Sequence, residues 1–299
     1  MKILVSGSHG LVGKALTHSL TEDGHEVVPL VRRERAFGSP EVEWYPDQGR
    51  IDAAHLESIE AVVHLAGDNI AGGRWTEQKK RRIRESRVRG TALLSDTLAA
   101  LSHPPSVFVC ASAIGFYGNR GDELLTEQSQ PGKDFLANVC IDWEAATISA
   151  AEKGIRTTHA RFGVILDARE GALAKMLPPF RAGIGGKVGS GKQWMSWIAL
   201  DDVIAALKFL LADRTIQGPV NVVAPNPVTN AEFTKTLGRV LSRPTIFPMP
   251  AFAARLAFGE MADALLLSSQ RVEPVVLEDN GFLFTWPTLE SALIRIIRG

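Results

Sequence analysis

Met1-Lys2-Ile3-Leu4-Val5-Ser6-Gly7-Ser8-His9-Gly10-Leu11-Val12-Gly13 is the stretch whose reading decides the fold. Ile3, Leu4 and Val5 form a short apolar run, and glycines follow at 7, 10 and 13. The stretch reads as a strand, a glycine-rich turn and the first turn of a helix. Gly7 permits a tight turn off the strand. Gly10 lets a pyrophosphate approach the backbone, and Gly13 lets the helix pack close to the sheet. The helix start at Leu11 and Val12 offers unpaired N–H groups and a partial positive charge to phosphates. A dinucleotide site is the expected use of this arrangement.

Outward from the turn, Leu11, Val12, Ala15, Leu16 and Leu20 recur at helical spacing, and Gly24 suits a helix C-terminus. Glu26 to Val31 reads as the second strand, which completes a βαβ unit. The tip of that strand usually selects the cofactor. An acid there bonds the ribose 2′-hydroxyl of NAD, whereas an arginine accepts the 2′-phosphate of NADP. Here the tip is Arg32-Arg33, followed by Glu34 and Arg35. NADP is therefore expected, with Arg32 as the leading contact; the competing reading is a charged surface loop.

Ala61 to Gly67 is a further buried strand ending in Ala66-Gly67, small enough for the backbone to come close to the adenine and phosphates. His64 lies inside an apolar run and reads as a core histidine. Residues 77–101 read as a long helix whose first half holds Lys79, Lys80, Arg81, Arg82, Arg84, Arg87 and Arg89. These charges spread around the helix without an aromatic ladder, so a solvated face is a better reading than a nucleic-acid patch. Ser106 to Ser112 is the next strand, and residues 134–153 read as an Ala-rich helix closed by Gly154. Thr157 to Leu166 is another strand. The alternation implies a doubly wound parallel sheet with ligands beyond the carboxyl ends of its strands. After residue 167 come a glycine-rich loop closed by Gln193 to Trp197, a helix over 199–211 and a possible sheet strand over 220–223. A helix from Asn230 to Leu241 follows, with Asn230 as N-cap. Trp194 and Trp197 have two readings, as pocket walls or as buried anchors of the loop.

Composition excludes several classes. Lys plus Arg and Asp plus Glu number 33 each in 299 residues, so no bulk charge attracts nucleic acid or membrane. Cys110 and Cys140 are too few for a disulfide framework or metal cluster. No apolar run approaches the roughly 20 residues of a membrane span. Without a signal-peptide layout, a reducing compartment such as the cytoplasm is expected, with the chain a monomer or homodimer.

Together, Gly7-x-x-Gly10-x-x-Gly13, His64 to Gly67, the Ser112 to Gly118 segment and Arg161-Phe162-Gly163-Val164 resemble an extended short-chain dehydrogenase/reductase of the NAD(P)-dependent epimerase/dehydratase family. More narrowly, Asp134 to Leu136, Asp142-Trp143-Glu144, Gly189 through Trp197 and Asn230 to Phe233 resemble an uncharacterised epimerase-like subgroup with a C-terminal domain of unknown function. The resemblance spans essentially the whole chain. It implies a Rossmann-type α/β domain over 1–170, its sheet completed by roughly 198–225. It also implies a smaller interleaved α+β substrate domain over 171–197 and 226–299. The implied cofactor contacts are Gly7, Gly10, Leu11, Val12, Gly13, Arg32, Arg33, Leu65, Ala66, Gly67, Arg87, Glu144, Arg161 and Gly163. The implied chemistry is that of an oxidoreductase or epimerase on a small carbonyl or hydroxyl substrate.

The chain departs from the family at its proton relay. The family places Tyr-x-x-x-Lys on the helix after the serine segment. Here Cys140 and Glu144 fall at those positions, and neither Tyr45 nor Tyr117 has Lys four residues on. A carboxylate one turn from Cys140 favours the thiol, a poor base. Glu144 is expected to accept bonds from ribose hydroxyls. Ser112 holds the family's serine position. Tyr117 either stands in as proton donor or shapes the substrate pocket. A non-catalytic NADP-binding or redox-sensing protein is the rival to an enzyme.

Overall fold

The computed structural model describes residues 1–35 and 38–299. Elements β1 (Lys2–Ser6), α1 (Leu11–Glu22) and β2 (Glu26–Val31) open the chain as the apolar pattern requires. Then come β3 (Val42–Tyr45), β4 (Arg50–Ile51), β5 (Ala61–His64), α2 (Glu77–Ala100) and β6 (Val107–Ala113). Next are β7 (Leu124–Leu125), α3 (Phe135–Ala145), α4 (Ile148–Glu152), β8 (Arg156–Phe162), β9 (Val164–Leu166) and α5 (Gly171–Arg181). They are followed by β10 (Trp194–Met195), β11 (Trp197–Ala199), α6 (Leu200–Ala212), β12 (Gly218–Val222) and β13 (Val228–Thr229). The chain closes with α7 (Asn230–Leu241), α8 (Ala251–Phe258), β14 (Arg271–Val272), α9 (Val275–Asp279) and α10 (Leu289–Arg298).

Eight strands form one sheet in the order β12-β8-β6-β5-β1-β2-β3-β4. Every pair is parallel except the terminal β3–β4 hairpin, where Trp44 faces Ile51. Parallel strands are covered on both faces, which is why Ile3, Leu4 and Val5 are all fully buried without alternation. One face packs Ile3, Val5, Val63 and Val109 against Leu16 and Leu20 of α1 and Val203, Leu207 and Leu210 of α6. The other packs Leu4, Val62 and Phe108 against Leu94 and Leu98 of α2 and Trp143 of α3. Each such large side chain contributes about 1.5–3 kcal/mol by leaving water. A third core joins α5, α7 and α10 around Trp197, Phe233 and Leu293. No described helix is long and apolar enough to cross a membrane.

The boundaries differ from the sequence reading in several places: β5 ends at His64 instead of Gly67, and α5 forms where no helix was expected. The strand expected over 157–166 is broken at Gly163. A Cβ there would lie 2.6 Å from the Ser196 carbonyl oxygen, so the chain turns out of the large sheet and β9 pairs with β11 instead. The helix expected over 134–153 is two helices. Thr147 donates its hydroxyl to the Glu144 carbonyl (2.8 Å) and sits 2.8 Å from His159 Nε2 on β8, which draws the backbone out of register. The N-cap of α7 is Thr229, not Asn230: Thr229 and Glu232 form a reciprocal capping box. Asn230 Oδ1 instead accepts the Val188 N–H at 2.8 Å. Finally, β3 and β4 were not anticipated; they are short and lie between turns.

Candidate functional site

The turn after β1 is built as its glycines demand. Gly7 has φ +69°, and a Cβ on it would lie 2.9 Å from the Leu65 carbonyl carbon. A Cβ on Gly13 would lie 2.1 Å from Gly7 O, so α1 can only reach the sheet as glycine there. Gly10 is different. A Cβ on it would meet protein only at Gly7 O, 3.4 Å away, which is ordinary contact. The protein itself does not forbid a side chain at Gly10; the space in front of it is left for something else. Gly10 is also the N-cap of α1 and supplies no side chain to cap it, so the first N–H groups of that helix, beginning with Leu11 and Val12, face outward uncapped. These residues fit a dinucleotide phosphate.

A buried hydroxyl holds the neighbouring strand ends together. Ser6 Oγ accepts the N–H groups of Leu65 (3.0 Å) and Ala66 (3.2 Å) and lies 2.7 Å from His64 Nδ1. With two bonds accepted, the hydroxyl donates to His64, which puts the ring proton on Nε2. His64 packs edge-on to Trp44, and burial pushes it down to about 3, so it stays neutral. At the tip of β2, Arg32 and Arg33 are both exposed. Arg33 is paired with Glu41 at 2.5 Å, whereas Arg32 has no such partner among the described residues.

The cations of α2 are largely engaged within the fold. Lys79 and Arg82 both reach Asp68 Oδ2, at 2.7 and 3.0 Å. Ser86 Oγ accepts the Asp68 N–H, and Arg87 donates to the Asp68 carbonyl at 3.1 Å. Arg84 pairs with Asp142 and Lys80 with Glu260. A Cβ on Gly67 would lie 3.2 Å from Arg87 Cζ, so Gly67 is small because the guanidinium packs on it. The helix thus grips the loop that follows β5. Asp68 was not singled out in the sequence, and Lys79, read there as part of a solvated face, is instead buried against it; an acid just past the strand end, facing basic residues a turn apart, was the available signal.

At the carboxyl ends of β6 and β8 the polar groups turn to one another. Ser112 donates its hydroxyl to Glu144 Oε1 at 2.6 Å. Arg161 binds the same carboxylate through Nε and Nη2, each at 2.8 Å. The pair is nearly sealed, with side chains 4% and 11% exposed. Arg161 Nη1 also donates to Tyr117 Oη (3.0 Å), and Tyr117 donates to Asn221 Oδ1 at 2.6 Å. The Arg161 guanidinium lies over the Phe116 ring, 3.5 Å from its centre. Burial opposes its charge, but the bonds to Glu144 outweigh that and hold it more firmly protonated than usual. Asn221, a polar residue in the middle of an apolar strand, went unremarked in the sequence reading for all its visibility there. Its N–H is accepted by Glu127, whose own acidity is weakened by burial.

This geometry bears on several sequence expectations. Tyr117 is fully buried, and burial pushes its hydroxyl up to about 12 against the pull of Arg161. Burial, then the Glu144 charge, push the Cys140 thiol up to about 12 as well. Glu144 and Arg161 direct their charges at each other. Gly163 is required where β8 gives way to β9, by the close Ser196 carbonyl. Trp197 is a buried anchor that donates to the Asn226 carbonyl, while Trp194 is half-buried, bonded to Asp122 and covered by Arg271.

The chain can now be set beside known proteins. Residues 3–223 match the NAD dependent epimerase/dehydratase family, and residues 249–296 match a domain of unknown function, DUF1731. An epimerase family protein of Mycobacterium bovis, Mb2239, is 44% identical over 97% of this chain and 96% of its own length. The crystal structure of the human epimerase family protein SDR39U1 with NADPH superposes with a TM-score of 0.89 at 32% identity, covering 99% of each chain. A nucleoside-diphosphate sugar epimerase from Corynebacterium glutamicum superposes at 0.79 with 39% identity, over 98% of this chain and 57% of that one. With a parallel sheet, a glycine turn cleared for phosphate and a family match over most of its length, the chain belongs to the NAD-dependent epimerase/dehydratase family.

Proposed function

We propose that this protein binds NADP(H) and acts as an epimerase-like oxidoreductase on a small hydroxyl or carbonyl compound. The observation that carries the reading is the space cleared at Gly10 before an uncapped helix, with Arg32 exposed at the tip of β2 and unpaired among the described residues. The human relative solved with NADPH supports the choice of NADP over NAD. In this reading Gly7 through Gly13 hold the pyrophosphate, Arg32 takes the 2′-phosphate, and Leu65 to Gly67, backed by Arg87, line the adenosine side. The open edge of Glu144 accepts from the nicotinamide ribose. When bound, the nicotinamide supplies hydride chemistry. Ser112 meets the ligand beside it, and Tyr117 and Asn221 act behind it by fixing Arg161. We take residues 171–197 and 226–299 as the substrate side. Lys175, donating to the Ala71 carbonyl (3.2 Å), ties it to the nucleotide side.

The test is a fluorescence titration with NADPH and NADH, on the wild type and on Arg32→Ala. NADPH should bind more tightly than NADH, and the variant should lose that margin. Equal affinities in the wild type remove the reading. A second reading, a non-catalytic NADP(H) holder, draws on Tyr117 and Cys140 both being held protonated by burial. Turnover of a carbonyl panel by the NADPH-loaded protein, or of an alcohol panel by the NADP+-loaded protein, decides against it.

A further inference from the structure

Ser112 stands at the family's serine position, with Cys140 and Glu144 where the family has Tyr and Lys. Here the neighbour is a carboxylate, and a carboxylate only accepts. The bond from Ser112 Oγ to Glu144 Oε1 is 2.6 Å, in the range of a charge-assisted hydroxyl bond, so the single Ser112 proton is committed. The remaining side-chain donors in this corner are spent too. Arg161 turns its guanidinium on Glu144, Tyr117 and the Glu127 carbonyl. Tyr117 gives its proton to Asn221. What the corner still offers is lone pairs: those of Ser112 Oγ, on a residue 2% exposed, and those of the Glu144 carboxylate, the more open side chain of the ion pair at 11%.

We propose that the corner formed by Ser112 and Glu144 selects a ligand that donates a hydrogen bond there, a neutral hydroxyl, over one that presents a carbonyl oxygen. The preference is for a neutral donor because Arg161 already balances the carboxylate at 2.8 Å through two bonds. A ligand ammonium would add a second cation beside Arg161. A carbonyl oxygen would face lone pairs with no proton between them, leaving a desolvated acceptor unpaired. Toward this ligand Glu144 acts by position, fixing the direction of the Ser112 proton, while its own open edge is the one that accepts from the ribose. This inference rests on the NADP(H) reading for the location of the ligand, and its test is arranged so that the two can fail separately.

The first arm needs no cofactor. A serine hydroxyl held by a carboxylate at this distance gives a slowly exchanging, low-field proton resonance. It should be present in the wild type and absent in both Ser112→Ala and Glu144→Gln. The second arm uses protein saturated with NADP+, which can neither oxidise a tertiary alcohol nor reduce a ketone. The probes are 1-methylcyclohexanol and cyclohexanone, titrated by saturation-transfer NMR. The alcohol should bind about threefold to tenfold more tightly, the range of one net hydrogen bond. Ser112→Ala should shrink the margin. Glu144→Gln, which can donate to Ser112 and release its proton outward, should reverse it. If NADP+ does not bind, the cofactor reading fails, and the resonance alone judges the proton. If NADP+ binds but the alcohol fails to bind or only matches the ketone, the inference falls and the cofactor reading stands. Absence of the resonance in the wild type also overturns it.

Discussion

The carboxyl edge of the sheet has two ends that handle polar groups in opposite ways. At the β1–α1 turn, groups are left without protein partners: Gly10 faces open space, α1 has no side-chain cap and Arg32 is exposed. At the β6–β8 end, Ser112, Glu144, Arg161, Tyr117 and Asn221 are joined in one buried chain of hydrogen bonds. In the function proposed above, the first is a surface whose energy is realised on binding a ligand. The second is a polar core already satisfied, and its energy is realised on folding. The difference teaches that residues aligned with a family's functional positions can be tied to one another by the fold before any ligand arrives.

The most direct way to break this contrast is at the ion pair. Arg161→Met would leave Glu144 buried and uncompensated, which costs about 3–5 kcal/mol. Removing both charges, with Glu144→Met added, should recover most of that loss, because the remaining polar groups are few and the volume is kept. Urea unfolding of the single and double variants checks it. A double variant as unstable as the single would mean that the pair itself, and not the orphaned charge, carries the stability.

The open end makes the opposite forecast. Gly10→Val should fold normally, since the protein offers only a 3.4 Å contact there, yet bind NADPH at least about a hundredfold more weakly. Gly13→Ala should instead destabilise the fold, because its Cβ would lie 2.1 Å from Gly7 O. Paired thermal melts and NADPH titrations separate the two effects. Undiminished NADPH binding in Gly10→Val would mean the glycines serve the turn alone.

The same contrast explains what the sequence made legible. The β1 to β2 unit is local: an apolar run, three glycines at fixed spacing and a helical stripe lie within thirty residues, so each piece predicts its neighbour. The parallel sheet followed from repetition of that unit. The β6–β8 network joins positions 112, 117, 144, 161 and 221, which no spacing rule connects. Motif matching could mark Glu144 and Arg161 as important, but only the fold shows them facing each other. Strand ends were misread for a related reason: Gly163 was marked in the Arg161 to Val164 motif yet left inside one continuous strand, and the Ser196 carbonyl that packs against it comes from far along the sequence.

A smaller effect sharpens the open end. Arg32→Ala should weaken NADPH about tenfold to a hundredfold, the loss of a bond to a charged group, and leave NADH unchanged. Arg33→Ala should cost less, because Glu41 already holds that guanidinium at 2.5 Å. Titrations of both variants with both dinucleotides read this directly. Equal losses would show that the two arginines share the 2′-phosphate.

The finest test concerns His64, a group of the closed kind set directly behind the open end. It is fully buried, bonded to Ser6 at 2.7 Å and kept neutral by burial, down to about 3. Unfolded, it takes a proton near its ordinary value of about 6.5. Between those values the unfolded chain binds one more proton than the folded one, so acid favours unfolding. The stability is fully present above about 6.5 and declines as pH falls, by up to about 1.4 kcal/mol per pH unit for this one site. His64→Phe keeps an aromatic ring against Trp44 but removes the titration. It should be less stable near neutrality, where the bond to Ser6 is lost, and its unfolding free energy should fall less steeply between pH 6.5 and 4.5. Urea midpoints across that range, wild type against variant, measure the difference in slope. Parallel slopes would mean that His64 is charged in the folded protein, and that the strand ends behind the glycine turn are wetter than the packing around Trp44 and Phe108 implies.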